Sequence, residues 1–210
     1  MRTGAGELIG YTSRTGTRTT LAALKQAGWG LLVSATDSHL KYDFRLWGLD
    51  NGAWTAHQQG TPWQPEPFLR LCDKLGSGAQ WVVVPDIVAG GWESLELSKQ
   101  WLPKLQGVAK HQLLAVQDGM TPDHIEPYLG QHVGIFVGGS TDWKLSTLHL
   151  WGALATKVGC YLHIGRVNSI KRINMCQDVG AHSFDGTSVS RFSKTLGLLN
   201  NGIKQQHLFR

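Results

Sequence analysis

The sequence has no run of the roughly 18 apolar residues that a membrane-spanning helix needs, and Met1 to Tyr11 lacks the charged-then-apolar layout of a secretion signal. A cytoplasmic location without a membrane partner is therefore expected. Cysteine is scarce: Cys72, Cys160 and Cys176 stand far apart, which excludes a disulfide framework and a zinc knuckle and leaves each as a small buried hydrophobe. There is no His-Glu-x-x-His pair and no Gly-Lys-Ser/Thr phosphate loop. No metal and no cofactor are expected. A compositional break that would mark a linker is also missing, so residues 1–210 read as one domain.

What is present is an ordinary globular composition, 41% hydrophobic and 17% charged, with an excess of basic residues that gives a formal charge of +5 and a pI near 9.2. That balance suits a polyanionic partner without requiring one. Nine tryptophans are many for this length. Most belong in a core, and a few can serve as flat platforms for bases.

Short apolar or β-branched runs recur along the chain: Leu8 to Thr12, Gly30 to Ser34, Arg45 to Leu49, Trp81 to Val84, Gln112 to Val116, Val133 to Val137, Cys160 to Ile164 and His182 to Phe184. Each reads as a buried strand. Segments of helical period lie between most of them: Arg18 to Ala27, Glu66 to Leu75, Trp92 to Leu105, Pro122 to Leu129, Thr147 to Lys157 and Ile170 to Val179, with a last helix from Val189 to Leu199. Thr121 ahead of Pro122, and Asn168 or Ser169 ahead of Lys171, supply start signals. Ala35 to Asp43 is too short and polar for a full helix and reads as a loop. Eight regular alternations with no spare strand predict a compact α/β chain, a (β/α)8 TIM barrel, rather than an open doubly wound sheet.

Such a barrel places its working residues just after the strands. The third strand is followed by Asp50-Asn51-Gly52-Ala53-Trp54, the fourth by Asp86 and the fifth by Gln117-Asp118-Gly119. The sixth leads into Gly138-Gly139-Ser140, the seventh into Gly165-Arg166, and the eighth into Asp185-Gly186-Thr187-Ser188. Any one of these is an ordinary turn or cap signal. Together they line one rim with carboxylates, an amide and glycine turns. Three carboxylates and an amide suit glycosidic chemistry on a base: one attacks the anomeric carbon, one moves protons on the leaving group, and the rest read hydrogen-bonding edges.

These motifs, in this order from about Leu8 to Lys194, resemble the tRNA-guanine transglycosylase (queuine tRNA-ribosyltransferase) family, and more closely its DNA-modifying relatives, the deazapurine DNA transglycosylases of phages and bacteria. The resemblance implies the same barrel. It also implies Asp185 as the nucleophile, Asp50 as general acid/base, and Trp54 as the ring that stacks on the base. Asp86, Gln117 and the backbone of Gly138 and Gly139 would read the base, with Ser140 standing where the family usually has Leu. Asn51 and Ala53 also depart from the family's Asp-Ser-Gly-Gly-aromatic pattern, and the zinc site that follows the barrel in the tRNA enzymes is not found here.

The expected activity is exchange of a guanine in DNA for a 7-deazaguanine base through a glycosyl-aspartate, with tRNA as the second choice of polymer. Arg14, Arg166, Lys171, Arg172, Arg191 and Lys194 are candidates for phosphate contacts. If the chain is phage-encoded, it works in the host cytoplasm. Three other readings stand beside it: the same exchange on tRNA, nucleoside-level hydrolysis or transfer, and a non-catalytic nucleic-acid-binding subunit.

Overall fold

A computed structural model describes residues 7–13, 17–35, 44–191 and 193–205. Eight parallel strands close on themselves in sequence order: β1 (Ile9–Ser13), β2 (Gly30–Ser34), β3 (Trp47–Asp50), β4 (Trp81–Val83), β5 (His111–Val116), β6 (Val133–Val137), β7 (Leu162–Ile164) and β8 (Ser183–Asp185). The β1–β8 pairing completes the ring, with Gly10 opposite Phe184 and Tyr11 opposite Asp185. The chain is a (β/α)8 TIM barrel. All eight expected strands form, within one or two residues of the expected bounds.

Inward and outward positions alternate along each strand. Tyr11, Trp81, Val83, Leu113 and Ala115 fill the barrel interior. Two large rings fit there because the neighbouring strands give way: a Cβ on Gly48 would lie 2.4 Å from the Trp81 indole, and one on Gly30 would lie 2.4 Å from the Tyr11 ring. A second, larger core lies between the barrel and its helices, with Leu31, Leu49, Val82, Leu114, Ile135 and Phe184 among the strand residues that face outward into it. Cys72, Cys160 and Cys176 are all buried and free.

The helices are α1 (Arg18–Gln26), α2 (Ala53–Gln59), α3 (Pro65–Leu75), α4 (Gly91–Trp101), α5 (Pro122–Ile125), α6 (Thr141–Val158), α7 (Ile170–Asp178), α8 (Ser188–Arg191) and α9 (Ser193–Gln205). Two differ from expectation in ways that matter for the rim. The segment after β3, read only as a turn motif, is helical: the Asn51 side chain accepts from the Ala53 N–H at 2.8 Å, and Gly52 supplies the left-handed residue (φ 83°) that starts α2. Helix α6 begins at Thr141, six residues before the expected Thr147, because the Ser140 hydroxyl caps it by accepting from the Trp143 N–H and Asp142 lies in its first turn. Helix α6 therefore starts at the barrel mouth itself. The expected loop Ala35 to Asp43 lies outside the described residues beyond Ala35. None of the described helices is long and apolar enough to cross a membrane.

Candidate active site

Asp185 closes β8 with its carboxylate at the barrel mouth and only 7% of the residue exposed. Both carboxylate oxygens meet donors. Oδ1 accepts the backbone N–H of Arg166 at 3.1 Å, and Oδ2 lies 3.0 Å from Nε2 of His163, a fully buried residue on the adjacent β7. Burial pushes the His163 pKa down, against the opposing pull of Asp185, so the ring is neutral at neutral pH. With a carboxylate oxygen as the acceptor, Nε2 carries the single imidazole proton and Nδ1 accepts. The Ser183 hydroxyl, 2.7 Å from Nδ1, then donates to the ring and accepts from the Tyr161 hydroxyl at 2.9 Å. The result is a one-way chain of donors, Tyr161 to Ser183 to His163 to Asp185. Phe136 stacks on the imidazole at 4.9 Å and Trp81 packs at 4.6 Å, which fixes the ring plane.

The opposite side of the mouth is built differently. Asp50 ends β3, accepts hydrogen bonds from the Gly52 backbone and the Ser34 hydroxyl, and still has its pKa pushed up to about 7. Burial is the main cause, followed by the negative charges of Asp86 and Asp185. Asp86 follows β4 and is also shifted upward by burial, in part offset by a 2.8 Å hydrogen bond from the Asn51 amide. The same amide donates to the Val84 carbonyl at 3.0 Å, and the Asn51 carbonyl oxygen of the backbone accepts from the Trp63 indole at 2.8 Å. Asn51 is thus the strut that aims Asp86. Two carboxylates, Asp86 and Asp185, thus lie close enough to Asp50 for their charges to act on it.

Trp54, in the first turn of α2, is 44% exposed. One neighbour is His57, stacked at 5.9 Å, and another is the Arg166 guanidinium, 5.4 Å from the ring centre. Arg166 has a left-handed backbone (φ 59°), unusual for a residue with a side chain, and its guanidinium also donates to the Gly139 carbonyl. It therefore spans the mouth from β7 to the rims of β3 and β6. Gly139 is demanded by its own packing: with φ 67°, a Cβ there would meet the Trp143 ring at 2.6 Å and the Asp118 carboxylate at 2.7 Å.

The base-reading residues come together at this rim, but several already have partners within the protein. The Gly138 N–H bonds to the Val116 carbonyl at 2.9 Å, so the Gly139 N–H is the donor this turn still offers among the described residues. The Gln117 amide nitrogen donates to the Ile87 carbonyl at 3.0 Å and to the Ser94 hydroxyl at 2.7 Å, which ties the β4–α4 loop to β5. Ser140 engages Asp118 with both its N–H and its hydroxyl at 2.6 Å while capping α6. Burial raises the Asp118 pKa, but the two Ser140 bonds and the Arg166 charge outweigh it and hold the group below its ordinary value.

Arg166 and Arg172 reach the rim, where the Arg172 guanidinium approaches the Arg166 carbonyl at 3.5 Å. Lys171 is exposed on α7. Arg14 lies outside the described residues, as do the side chains of Arg191 and Lys194, whose backbones belong to α8 and α9. Among the described residues no group of three or more His, Cys, Asp or Glu is placed to hold a metal ion. Sequence reasoning assigned no role to His163, Asn51 or Lys144. For His163 the available signal was its inward phase on β7, two residues before the Gly165-Arg166 turn.

No protein-family model matches the chain, and no curated protein matches it. Solved structures do. A putative fructose-1,6-biphosphate aldolase from Coccidioides immitis superposes with a TM-score of 0.59 at 12% identity, over 94% of this chain and 86% of the aldolase. Tryptophan synthase from M. tuberculosis gives 0.60 at 12% identity, over 95% of this chain and 92% of that one. Methylaspartate ammonia lyase from Clostridium tetanomorphum gives 0.60 at 8% identity, over 98% of this chain and 59% of the lyase. At such identities the likeness is one of fold: what this chain shares with these proteins is the TIM barrel.

Proposed function

We propose that this chain is a transglycosylase that exchanges a guanine in DNA for a 7-deazaguanine base, with Asp185 as nucleophile and Asp50 as general acid/base. The observation that carries the reading is the opposite treatment of two carboxylates in one mouth. Asp185 receives hydrogen bonds on both oxygens, which fix the carboxylate in the orientation a nucleophile needs. Asp50, desolvated and facing like charges, is held near neutrality, where a carboxyl both gives and takes a proton. The barrel's structural neighbours are named as enzymes, which accords with a catalytic role.

In the proposed reaction the guanine nucleotide is turned out of the stack and its base rests against Trp54. Asp185 attacks C1′. The C1′–N9 bond breaks, its electron pair passes to the base, and Asp50 supplies the proton that lets neutral guanine leave. The 7-deazaguanine then enters, gives its N9 proton to the Asp50 carboxylate, and attacks C1′, which releases Asp185 from the ester. The proton lost in the first half returns in the second, so no redox partner is required. In this reading Asp86, held by the Asn51 amide, accepts from the N–H edge of guanine, and the Gly139 N–H donates to its carbonyl.

The test is incubation of the protein and candidate 7-deazaguanine bases with single-stranded DNA, duplex DNA and tRNA at matched low salt, because phosphate contacts make every affinity salt-dependent. Mass spectrometry of the digested polymer then reads the incorporated deaza base. Incorporation into DNA is the expected result. Incorporation into tRNA alone would move the assignment to that polymer, release of guanine without incorporation would make the chain a hydrolase, and no reaction with any of the three would overturn the proposal.

A further inference from the structure

Lys144 is a charged residue in an unusual place. It lies in the first turn of α6 yet is only 6% exposed, and its ammonium donates to the Gly165 carbonyl. Among the described residues no carboxylate lies within ion-pair distance of it. Burial, then the positive charge of Arg166 and more weakly that of Arg172, bring its pKa down to about 8 against the opposing pull of Asp185, so most of the population is still protonated at neutral pH. Three cations, Lys144, Arg166 and Arg172, thus crowd one small region. The carboxylate whose charge acts on Lys144 is Asp185, which already faces two donors, while Asp118 acts on Arg166 and is engaged with Ser140.

These cations border a recess between α6 and α7. Thr141, Lys144, Arg166 and Arg172 contribute to its lining, while Leu148 and Cys176 are among the apolar residues that floor it. Apolar walls weaken solvent screening, so an uncompensated charge is costly there and an arriving anion is held strongly. The start of the 18-residue helix α6 adds to this. Asp118 takes the Ser140 N–H and the Ser140 hydroxyl accepts the Trp143 N–H, which leaves the remaining first-turn N–H groups without a partner from the Ser140 cap. The Gly165-Arg166 turn, to which Lys144 and Arg172 both bond, is the turn whose Arg166 N–H holds Asp185.

We propose that this recess is an anion site that takes a phosphate group through Lys144, Arg172 and the start of α6. On the transglycosylase reading, on which this last step rests, the group is the phosphodiester next to the sugar that Asp185 attacks. Arg166, which in this structure lies on Trp54 and Gly139, is placed to swing between the base platform and the phosphate. A flat base and its phosphate would then be gripped from one turn.

The test is thermal unfolding of the full chain titrated with inorganic phosphate against sodium chloride at matched ionic strength. Phosphate stabilises many proteins weakly by exclusion from their surface, so saturation at low millimolar concentration is the required signature. Lys144→Met and Arg172→Gln are each expected to weaken the saturable effect by roughly tenfold to a hundredfold, as loss of a charge-assisted hydrogen bond implies. Lys157→Met, an exposed lysine on the same helix, is expected to leave it unchanged. If Lys144 merely pins the β7 turn, Lys144→Met lowers stability equally with and without phosphate, which overturns the proposal. A wild-type chain with no saturable shift also overturns it, and if Lys144→Met does not fold, Arg172→Gln decides. Thymidylyl-thymidine, which carries one phosphodiester and no guanine, is expected to displace phosphate; failure to do so overturns the phosphodiester assignment and leaves a phosphate monoester as the ligand class. A chain that binds phosphate through these residues but exchanges no base overturns the transglycosylase reading alone.

Discussion

The two sides of the barrel mouth carry the same functional group in opposite surroundings. On the β7–β8 side both oxygens of Asp185 face donors, and the chain behind them runs through His163 and Ser183 to Tyr161, just ahead of β7. On the β3–β4 side Asp50 faces two other carboxylates, and its pKa rises to about 7 in spite of two hydrogen bonds. The difference shows how one fold can set two identical side chains to different tasks. Fixed neutral donors hold one carboxylate in place, whereas like charges in a poorly solvated rim favour the acid form of the other.

The largest effect should come from removing the anion on the donor-rich side. Asp185→Asn keeps the size of the side chain but not its nucleophilicity, and exchange is expected to fall by about three orders of magnitude or more. Single-turnover base exchange measures this, with circular dichroism to verify folding. Asp50→Asn should lose roughly a hundredfold to ten-thousandfold, the usual worth of general acid/base catalysis. It should still form the sugar ester on Asp185, detectable as an intact-mass shift after denaturation. The wild-type rate of the first half-reaction is expected to decline as pH rises through about 7, where Asp50 loses the proton that guanine needs. A pH-independent rate, or the same trapped ester in Asp185→Asn, would dissolve the distinction between the two sides.

The next effect concerns the chain behind Asp185. His163→Gln retains a donor but breaks the rigid stack on Phe136, and misplacing the nucleophile by about 1 Å can cost about a hundredfold. The loss should appear in kcat with little change in KM. His163→Leu, which removes the donor, should lose more than the glutamine variant; equal losses would mean that His163 only fills space. Trp54→Ala is expected to weaken substrate use by about tenfold to a hundredfold, the worth of roughly 1–3 kcal/mol of stacking, and to do so through KM. Trp54 is 44% exposed, so the melting temperature should scarcely change.

How far this contrast was legible in the sequence follows from the geometry of strands. Short apolar runs, helical periods and the polar residues that follow each run are local, and they carried the barrel, the eight strands and the positions of Asp50, Asp86 and Asp185 at the rim. The partners that tell these carboxylates apart are not local. His163 is 22 residues from Asp185, and as a single polar residue in a buried strand it carries no sign of which side chain it meets. Asn51 reads as a turn residue until Asp86, 35 residues away, is beside it. Lys144 was hidden by a boundary: a helix starting at Thr147 leaves it on a loop, whereas the Ser140 cap draws it into the first turn and buries it. The same cap engages the polar groups of Ser140, a residue the family pattern would otherwise assign to base recognition.

The smallest expected effect tests the carboxylate-rich side without any substrate. Asp50 has an ordinary pKa of 3.8 in the unfolded chain and about 7 in the folded one, so the folded state binds its proton more tightly. Stability from this group is fully present below the unfolded value and is lost as pH rises through about 7. Asparagine cannot ionise and carries no such loss. Relative to wild type, Asp50→Asn should therefore gain stability as pH goes from 5 to 8, by something on the order of 1 kcal/mol once solvent screening at a partly exposed rim is allowed for. For a chain of this size that is roughly 2–4 °C in melting temperature. Asp185→Asn should not behave in this way, because it removes an acceptor from two donors and leaves the Arg166 N–H and His163 Nε2–H less well matched at either pH. Melting curves of the three proteins at both pH values read the comparison directly: a gain confined to Asp50→Asn locates the unfavourable charge on the β3–β4 side, and an equal gain in both variants would place it in the mouth as a whole.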